Sequence, residues 1–313
     1  MKAFCLISGA ASPGIVEQNV PRPELGPGQL LVEVYAAGVT PTELSWYPTL
    51  HTKSGGLRER PIPGHEFSGV VASIGAGVAD FKTGDAVYGM NDWFQDGAMA
   101  EYCVTEPSSL AAKPPNLSHA EAASAPISAL TAWQGLFDLA KLQPGERVFV
   151  QGAAGAVGVY AVQLAHGRKA HVVATAAQKN FEFVRDLGAD ETIDSTTDYF
   201  GRLAGSFDVV FDVIGGDTLQ RSWTLLKPNG RMVTIASQSE GETDERVKRA
   251  FFIVRPDRQQ LQEISGMLTT GVLRTVVDTV VPLARAADAY MGRLAERRGR
   301  GKVVVAIRGE ADK

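Results

Sequence analysis

Hydrophobic and polar positions follow two rhythms along this chain, and one gives way to the other near residue 115. Up to that point apolar residues gather in short runs, Leu30–Ala36, Gly69–Ile74, Asp85–Tyr88 and Ala100–Val104, divided by Gly, Pro and Asp. Short runs bounded by turn formers predict strands. Pro21-Arg22-Pro23 and Pro27-Gly28 hold the lead-in extended, because a residue before proline is steered away from the helical region. Lys113-Pro114-Pro115-Asn116 then breaks the pattern. Ser118 with Glu121 three residues on is a capping box. The Ala-rich stretch Ala122–Leu139 behind it is helical in character, with Pro126 interrupting or restarting it.

From Gln143 the apolar runs alternate with helical patterns. Arg147–Gln151, Ala170–Thr175, Phe207–Val213 and Gly230–Ile235 read as strands, and Lys179–Leu187 and Thr218–Leu226 as helices between them. This alternation predicts an α/β fold with a parallel, doubly wound sheet and right-handed crossovers. After Arg255-Pro256-Asp257 an amphipathic helix carries Leu261, Ile264 and Leu268. Two extended pieces, Val276–Val281 and Lys302–Ile307, lack a following helix and are assigned back to the first, β-rich unit. The expected division is residues 1–124 as the β-rich domain, 125–257 as the parallel-sheet domain, and 258–313 as a return to the first.

Between the first parallel strand and its helix the chain reads Gly152-Ala153-Ala154-Gly155-Ala156-Val157-Gly158. Strand, glycine turn and helix in this order form the phosphate-binding half of a dinucleotide fold. Gly155 lets the backbone approach a pyrophosphate, Gly158 lets the helix pack on the strand, and N–H groups at the helix start face the negative charge. Ala153 stands where the usual motif has its first glycine. An ordinary tight turn would carry the same residues; the strand–helix units that follow favour the dinucleotide.

Composition narrows the partners. In a 313-residue chain, 44% hydrophobic and 21% charged residues fit a folded protein of two domains. A formal net charge of −4 gives no electrostatic case for nucleic acid or an anionic membrane. No segment approaches the roughly 18 uninterrupted apolar residues of a membrane span, and the apolar run in Met-Lys-Ala-Phe-Cys-Leu-Ile is too short for a signal peptide. The cysteines, Cys5 and Cys103, fit a reducing cytoplasm. The basic run Arg293, Arg297, Arg298, Arg300 and Lys302 reads as a solvated helix end.

Six further segments stand in order around the glycine turn: Ala36-Ala37-Gly38-Val39-Thr40-Pro41, Gly64-His65-Glu66-Phe67-Ser68-Gly69-Val70-Val71, Leu130-Thr131-Ala132-Trp133, Leu187-Gly188-Ala189-Asp190, Asp208-Val209-Val210-Phe211-Asp212 and Gly301-Lys302-Val303-Val304. With it, over nearly the whole chain, they resemble the medium-chain dehydrogenase/reductase superfamily, specifically its zinc-lacking quinone oxidoreductase branch, which includes zeta-crystallin. The resemblance implies a GroES-like β-rich domain, a Rossmann domain, a cleft between them for nicotinamide and substrate, and a homodimer. It also implies that Thr131, Val213, Ile235 and Phe252 line the nicotinamide and ribose path.

Zinc-dependent relatives place a Cys after the Ala-Ala-Gly-Val strand, a His in the Gly-His-Glu turn and a Cys or Asp before the Rossmann unit. Here those positions hold Thr40, His65 and Ser128. A catalytic zinc needs three protein ligands and hydroxyls replace thiolate poorly, so no metal is expected and His65 reads as a turn histidine bonded to backbone. Without a Lewis acid to hold an alkoxide, the favoured substrate is already electrophilic. A quinone or α,β-unsaturated carbonyl would take hydride from NADPH with only hydrogen bonds at its oxygen. The alternatives are an alcohol dehydrogenase with a degenerate zinc site, and a low-turnover NADPH-binding protein with a structural or sensing role.

Thr40 and Tyr47 are the candidate donors, with Ser45, Trp46 and Trp93 as candidates to line the substrate. A packing aromatic with its hydroxyl in water is the alternative for Tyr47, and a core or domain-interface role the alternative for Trp46 and Trp93. The family commonly carries Asn and Asp where Thr40 and Glu43 stand. Asn91-Asp92 and Gln95-Asp96 are expected in a polar loop at the cleft mouth. The second parallel strand ends Thr175-Ala176-Ala177-Gln178-Lys179, with no acid before Glu182. An NAD site places a carboxylate there for the ribose hydroxyls. Lys179 would instead attract a 2′-phosphate, so NADPH is expected, with Ser195 where relatives often add a Tyr; the alternative for Lys179 is a solvated first-turn lysine.

Overall fold

In the computed structural model, which describes residues 1–7 and 14–309, the two rhythms become two main sheets. The first is built around Leu30–Gly38, largely buried because both of its faces are covered. Glu66–Ile74 pairs antiparallel with one edge of it, followed outward by Ala86–Met90 and Leu110–Ala112. Tyr102–Thr105 pairs with its first half. Lys302–Ala306 lies antiparallel along its second half, and Val277–Pro282 runs parallel to that strand. The two final strands thus return to the first sheet, where Val303 and Val305 share a core with Val32, Val34 and Phe67. The apolar residues at the N-terminus form a strand of their own, Lys2–Ile7, paired antiparallel with Gly14–Asn19.

The second sheet is parallel throughout. Its spatial order is Glu191–Asp194, His171–Ala176, Arg147–Val150, Phe207–Asp212 and Leu226–Thr234. Successive side chains point to opposite faces. Val148, Val150 and Val209 therefore join the helix Gly158–Gly167 in one core, while Phe149, Val173 and Val210 join Leu219 and Val247 in another. Two covered faces explain why these strands read as continuous apolar runs. The chain adds strands outward from Arg147–Val150 on one side, then crosses back to its other side. A crevice at the carboxyl ends of Arg147–Val150 and Phe207–Asp212 follows from that reversal.

Boundaries depart from expectation where turn chemistry intervenes. The helix expected over Lys179–Leu187 starts at Phe181, after a turn at Gln178–Asn180. The one expected over Thr218–Leu226 spans Gly216–Ser222, since Leu226 already pairs with Phe207. Ala122–Leu139 falls into three pieces: His119–Ala123 behind its capping box, Pro126–Trp133 with the proline in its first turn, and a π-helical turn over Gln134–Leu139. Strand Glu191–Asp194 and helix Glu245–Ala250 carry too few apolar residues to announce themselves in the pattern. Leu261, Ile264 and Leu268 are buried on the helix Arg258–Thr269, as their spacing requires.

Arg231, in the edge strand, ties the parallel sheet to the loop before it. Its guanidinium meets both oxygens of Glu146 at 2.9 and 2.5 Å, and its Nε donates to the Ala140 carbonyl at 2.8 Å. Those hydrogen bonds hold the Glu146 carboxyl below its usual range. The pair's contribution is therefore full above the unfolded carboxyl's pKa and is lost as pH falls through the depressed one. Arg231→Met should lower stability by about 1 kcal/mol at neutral pH, with the gap to wild type closing in acid. Thermal melts across pH test this, and a gap that does not vary with pH would contradict it.

Candidate active site

Past Val150 the chain turns through residues 151–157 before the helix starts at Gly158. Gly152 sits at φ 61°, in the left-handed region, and a Cβ on it would meet the Val213 side chain at 2.6 Å. A Cβ on Gly158 would overlap the Gly152 carbonyl and stand 2.7 Å from the Ala153 Cα. Gly155 differs, because its Cβ would meet only the Gly152 oxygen, at 3.2 Å. Its expected role, clearance for a pyrophosphate, concerns space outside the chain. Thr175 fastens the turn, its Oγ1 accepting from the Gly152 N–H at 3.2 Å and its carbonyl from the Ala153 N–H at 3.0 Å. The Ala154 carbonyl accepts from the Gly301 N–H at 2.8 Å. This cradle and helix start fit a dinucleotide.

Where the turn faces the first sheet, a cavity of 190 Å³ opens. The parallel-sheet side supplies Ala156, Val157, Ile235 and Phe252, with Thr131 from the helix Pro126–Trp133; the opposite side supplies Thr40 and Trp46. These seven expected residues thus meet around one space. The wall carrying Phe252 is fixed from behind. Gln134 accepts from the Arg255 N–H at 3.2 Å and donates to the Arg255 carbonyl at 2.9 Å, and the Trp93 indole donates to the Val254 carbonyl at 2.8 Å. Trp93 packs edge-on against Trp46, with ring centroids 4.6 Å apart, and does not itself line the cavity.

Tyr47 and Ser45 also stand apart from it. Residues Pro41–Ser45 wind into a 3₁₀ turn, and the chain then enters a short helix, Tyr47–Leu50. Tyr47 is half exposed and stacks on His51 at 4.0 Å; Ser45 is exposed and donates to the Thr42 carbonyl at 3.1 Å. Val213 packs against the glycine turn instead of the cavity. Asn91 is fully buried and donates to the carbonyls of Asp96 and Val104 at 2.9 and 3.1 Å, so its loop is partly interior and not merely a polar rim.

The basic run near the C-terminus is not a solvated helix end, because residues 291–300 form turns and bends. Arg297 pairs with the buried Asp278 at 2.9 Å, and Arg300 donates to the Asn180 side chain at 2.7 Å and the Lys179 carbonyl at 3.0 Å. Lys302 is buried in the cavity wall. Its ammonium donates to Thr40 Oγ1 at 2.8 Å and pairs with the buried Glu66 carboxylate. Glu66 Oε2 accepts from the Ile127 N–H at 2.9 Å. Gly38 has to be glycine here, since a Cβ on it would stand 2.6 Å from the Glu66 side chain. Burial pushes the Glu66 carboxyl up from its ordinary value, and Lys302 opposes that rise. The signal in the sequence is a lysine on the first residue of an otherwise apolar strand, where a buried charge demands a partner.

His65 is fully buried. Its Nδ1 is hydrogen-bonded to the Glu43 carboxyl and its Nε2 donates to the Gln95 carbonyl at 3.1 Å, so a buried acid joins the backbone bond expected for it. Glu43 also accepts from the Gly64 N–H at 3.0 Å and the Tyr290 hydroxyl at 2.5 Å. Burial first, and then Glu43, push the Tyr290 phenol well above its usual value. With Nδ1 held by Glu43 and Nε2 by the Gln95 carbonyl, both ring nitrogens of His65 are already engaged within the fold, and Thr40 faces an ammonium. This donor set does not fit zinc.

At the far end of the crevice, Lys179 and Ser195 are exposed, and the Ser195 N–H donates to the Ala176 carbonyl at 3.0 Å. Asp194 lies opposite Ala176 in register, an acid that only strand pairing brings there. Its Oδ1 accepts from the Thr196 N–H at 2.9 Å and hydroxyl at 2.8 Å.

Comparison with known proteins agrees with this architecture. Residues 26–115 match the family described as alcohol dehydrogenase GroES-like domain, and residues 187–305 that described as zinc-binding dehydrogenase. The chain is 33% identical to a mitochondrial protein of Arthroderma benhamiae named a probable zinc-binding oxidoreductase, covering 92% of this chain and 91% of that one. It is 32% identical to the chloroplastic NADPH-dependent alkenal/one oxidoreductase of Arabidopsis thaliana, covering 93% and 75%. Among solved structures, the quinone oxidoreductase from Coxiella burnetii superposes with a TM-score of 0.87 at 27% identity, covering 98% and 99%.

The glycine turn gives a direct test. Gly158→Ala should lower the melting temperature and abolish dinucleotide binding together. Gly155→Ala should melt like wild type yet lose about tenfold or more in dinucleotide affinity, roughly 1.4 kcal/mol, by calorimetric titration. Wild-type affinity in Gly155→Ala would remove this turn from the site.

Proposed function

The chain belongs to the medium-chain dehydrogenase/reductase superfamily, and from that premise we propose that it is an NADPH-dependent reductase of quinones or α,β-unsaturated carbonyls. The observation that carries the proposal is the cavity wall. Its charge comes from the Lys302 ammonium hydrogen-bonded to Thr40 Oγ1, and most of the rest is apolar. An unactivated alcohol needs its developing alkoxide held by a Lewis acid, and positions 40, 65 and 128 offer none a place. A conjugated carbonyl needs only donors at its oxygen. Trp46 and Phe252 supply flat apolar walls for such a substrate.

When bound, a reduced nicotinamide supplies the hydride. Ala156 and Val157 carry the turn into the cavity, and Ile235, Phe252 and Thr131 bound the space for the ring. The Thr131 hydroxyl donates to the Ile127 carbonyl at 2.6 Å, which fixes its rotamer and leaves its methyl as a contact surface. The purified protein should consume NADPH with a naphthoquinone and with a short alkenal, before and after dialysis against a chelator. Oxidation of alcohols alone, lost on chelation and restored by zinc, would overturn this. Thermal stabilisation by NADPH with no turnover would favour the binding-protein alternative.

The preference for NADPH rests on Lys179, on the absence of an acid within residues 176–181, and on Asp194 being engaged by Thr196. Lys179→Ala should weaken NADPH binding about tenfold and leave NADH nearly unchanged. That difference should shrink as salt is raised. An equal loss for both cofactors, or equal wild-type affinities, would contradict the preference.

A further inference from the structure

We propose that Thr40, Lys302 and Glu66 form an oxyanion subsite, in which the Thr40 hydroxyl, charged from behind by Lys302, binds the carbonyl oxygen of the substrate. The inference deepens the reductase reading and rests on it for the identity of the substrate, though not for the ability to hold an anionic oxygen.

Hydrogen-bond direction carries the argument. An ammonium has donors and no acceptor, so the bond between Lys302 Nζ and Thr40 Oγ1 runs from lysine to threonine. The hydroxyl proton of Thr40 is therefore directed elsewhere, and Thr40 lines the cavity. The other hydroxyls there are placed differently. The Thr131 hydroxyl donates its hydrogen bond to the Ile127 carbonyl, and Thr42 is exposed. Lys302 is fixed at both its backbone and its ammonium. Its backbone N–H donates to the Val276 carbonyl at 2.9 Å, its ammonium pairs with Glu66, and Glu66 is held in turn by the Ile127 N–H at 2.9 Å. Glu66 thus acts as a positioning residue. In apolar surroundings a preoriented donor of this kind acts on developing charge far more strongly than in water.

In the proposed reaction, hydride brings its electron pair to the β-carbon of the enone and forms the new C–H bond. The carbon–carbon π pair shifts toward the carbonyl, whose π electrons move onto oxygen. The resulting enolate oxygen accepts the Thr40 hydrogen bond, and a proton from water completes the reduction at the α-carbon. Lys302 supplies charge and loses no proton.

para-Nitrophenol, whose phenolate absorbs in the visible, tests the subsite without turnover. Bound to wild type in the presence of NADP⁺, it should ionise at a pH at least about one unit lower than free in solution, a tenfold preference for phenolate. Thr40→Ser should keep that shift, and the isosteric Thr40→Val should abolish it. A double variant, Lys302→Met with Glu66→Gln, removes both charges so that neither stays buried and unpaired, and should abolish it too. Both defective variants should keep NADPH affinity while kcat for an enone falls about a hundredfold. A wild-type protein that binds the phenol with no shift, or an unchanged shift in Thr40→Val, would overturn the subsite. So would a double variant that loses NADPH affinity but keeps the phenol shift, because it would assign Lys302 to the cofactor's phosphates. A wild-type shift with no quinone or enone reduction would support the subsite and overturn the reductase reading alone.

Discussion

Two adjacent residues, Gly301 and Lys302, grip both halves of the molecule at once. Gly301 sits at φ 73°, beside the Val276 carbonyl, where its N–H reaches the Ala154 carbonyl in the glycine turn at 2.8 Å. One residue later, Lys302 is anchored on Glu66 and Thr40 of the first sheet. The return of the strand Lys302–Ala306 to the first sheet therefore sets the distance between the glycine turn and the Thr40 wall. A buried ion pair adds little net stability after desolvation, but removing one partner leaves a costly orphan charge. Its value here is orientation.

The same logic gives two buried carboxylates, Glu43 and Glu66, different roles. Glu43 gathers His65, Tyr290 and the backbone of residues 64 and 65, and so pins the turn preceding Glu66–Ile74. Glu66, next in sequence to His65, faces the other way and holds Lys302. An imidazole that elsewhere could bind a metal is spent on structure, and positive charge is delivered by a lysine from a strand over two hundred residues later. The cavity walls are similarly overdetermined: Gln134 and Trp93 clamp the segment bearing Phe252 by its backbone, leaving its side chains to face the space.

Much of this was legible in the chain. Short apolar runs between turn formers marked both sheets, and the glycine turn with its flanking strand and helix marked the crevice. Resemblance to a family whose segments keep their order grouped Thr131, Ile235 and Phe252, which share the cavity, with Val213, which does not line it; Thr40 and Trp46 were candidates by residue type and position. What stayed hidden depends on pairing between distant residues. Lys302 lies in a run of arginines whose composition suggests solvent, and only the return of its strand to Leu30–Gly38 buries it. Asp194 comes beside Ala176 through strand register, which no local pattern encodes. Tyr47 has a side chain suited to proton donation and a favourable position in sequence, yet the turn at Pro41–Ser45 rotates it away from the cavity. Chemistry-bearing residue types are visible in one dimension; which of them converge is set by topology.

The central claim is that hydride donor and substrate oxygen meet in the cavity between the phosphate turn and Thr40. A crystal structure of the protein with NADP⁺ and a non-reducible quinone analogue measures that most directly. The nicotinamide ring is expected between Thr131, Ile235 and Phe252, with the analogue's oxygen at hydrogen-bond distance, about 2.7–3.1 Å, from Thr40 Oγ1. A nicotinamide ring lying outside this cavity, or a cofactor phosphate seated on Lys302 and Thr40, would contradict it.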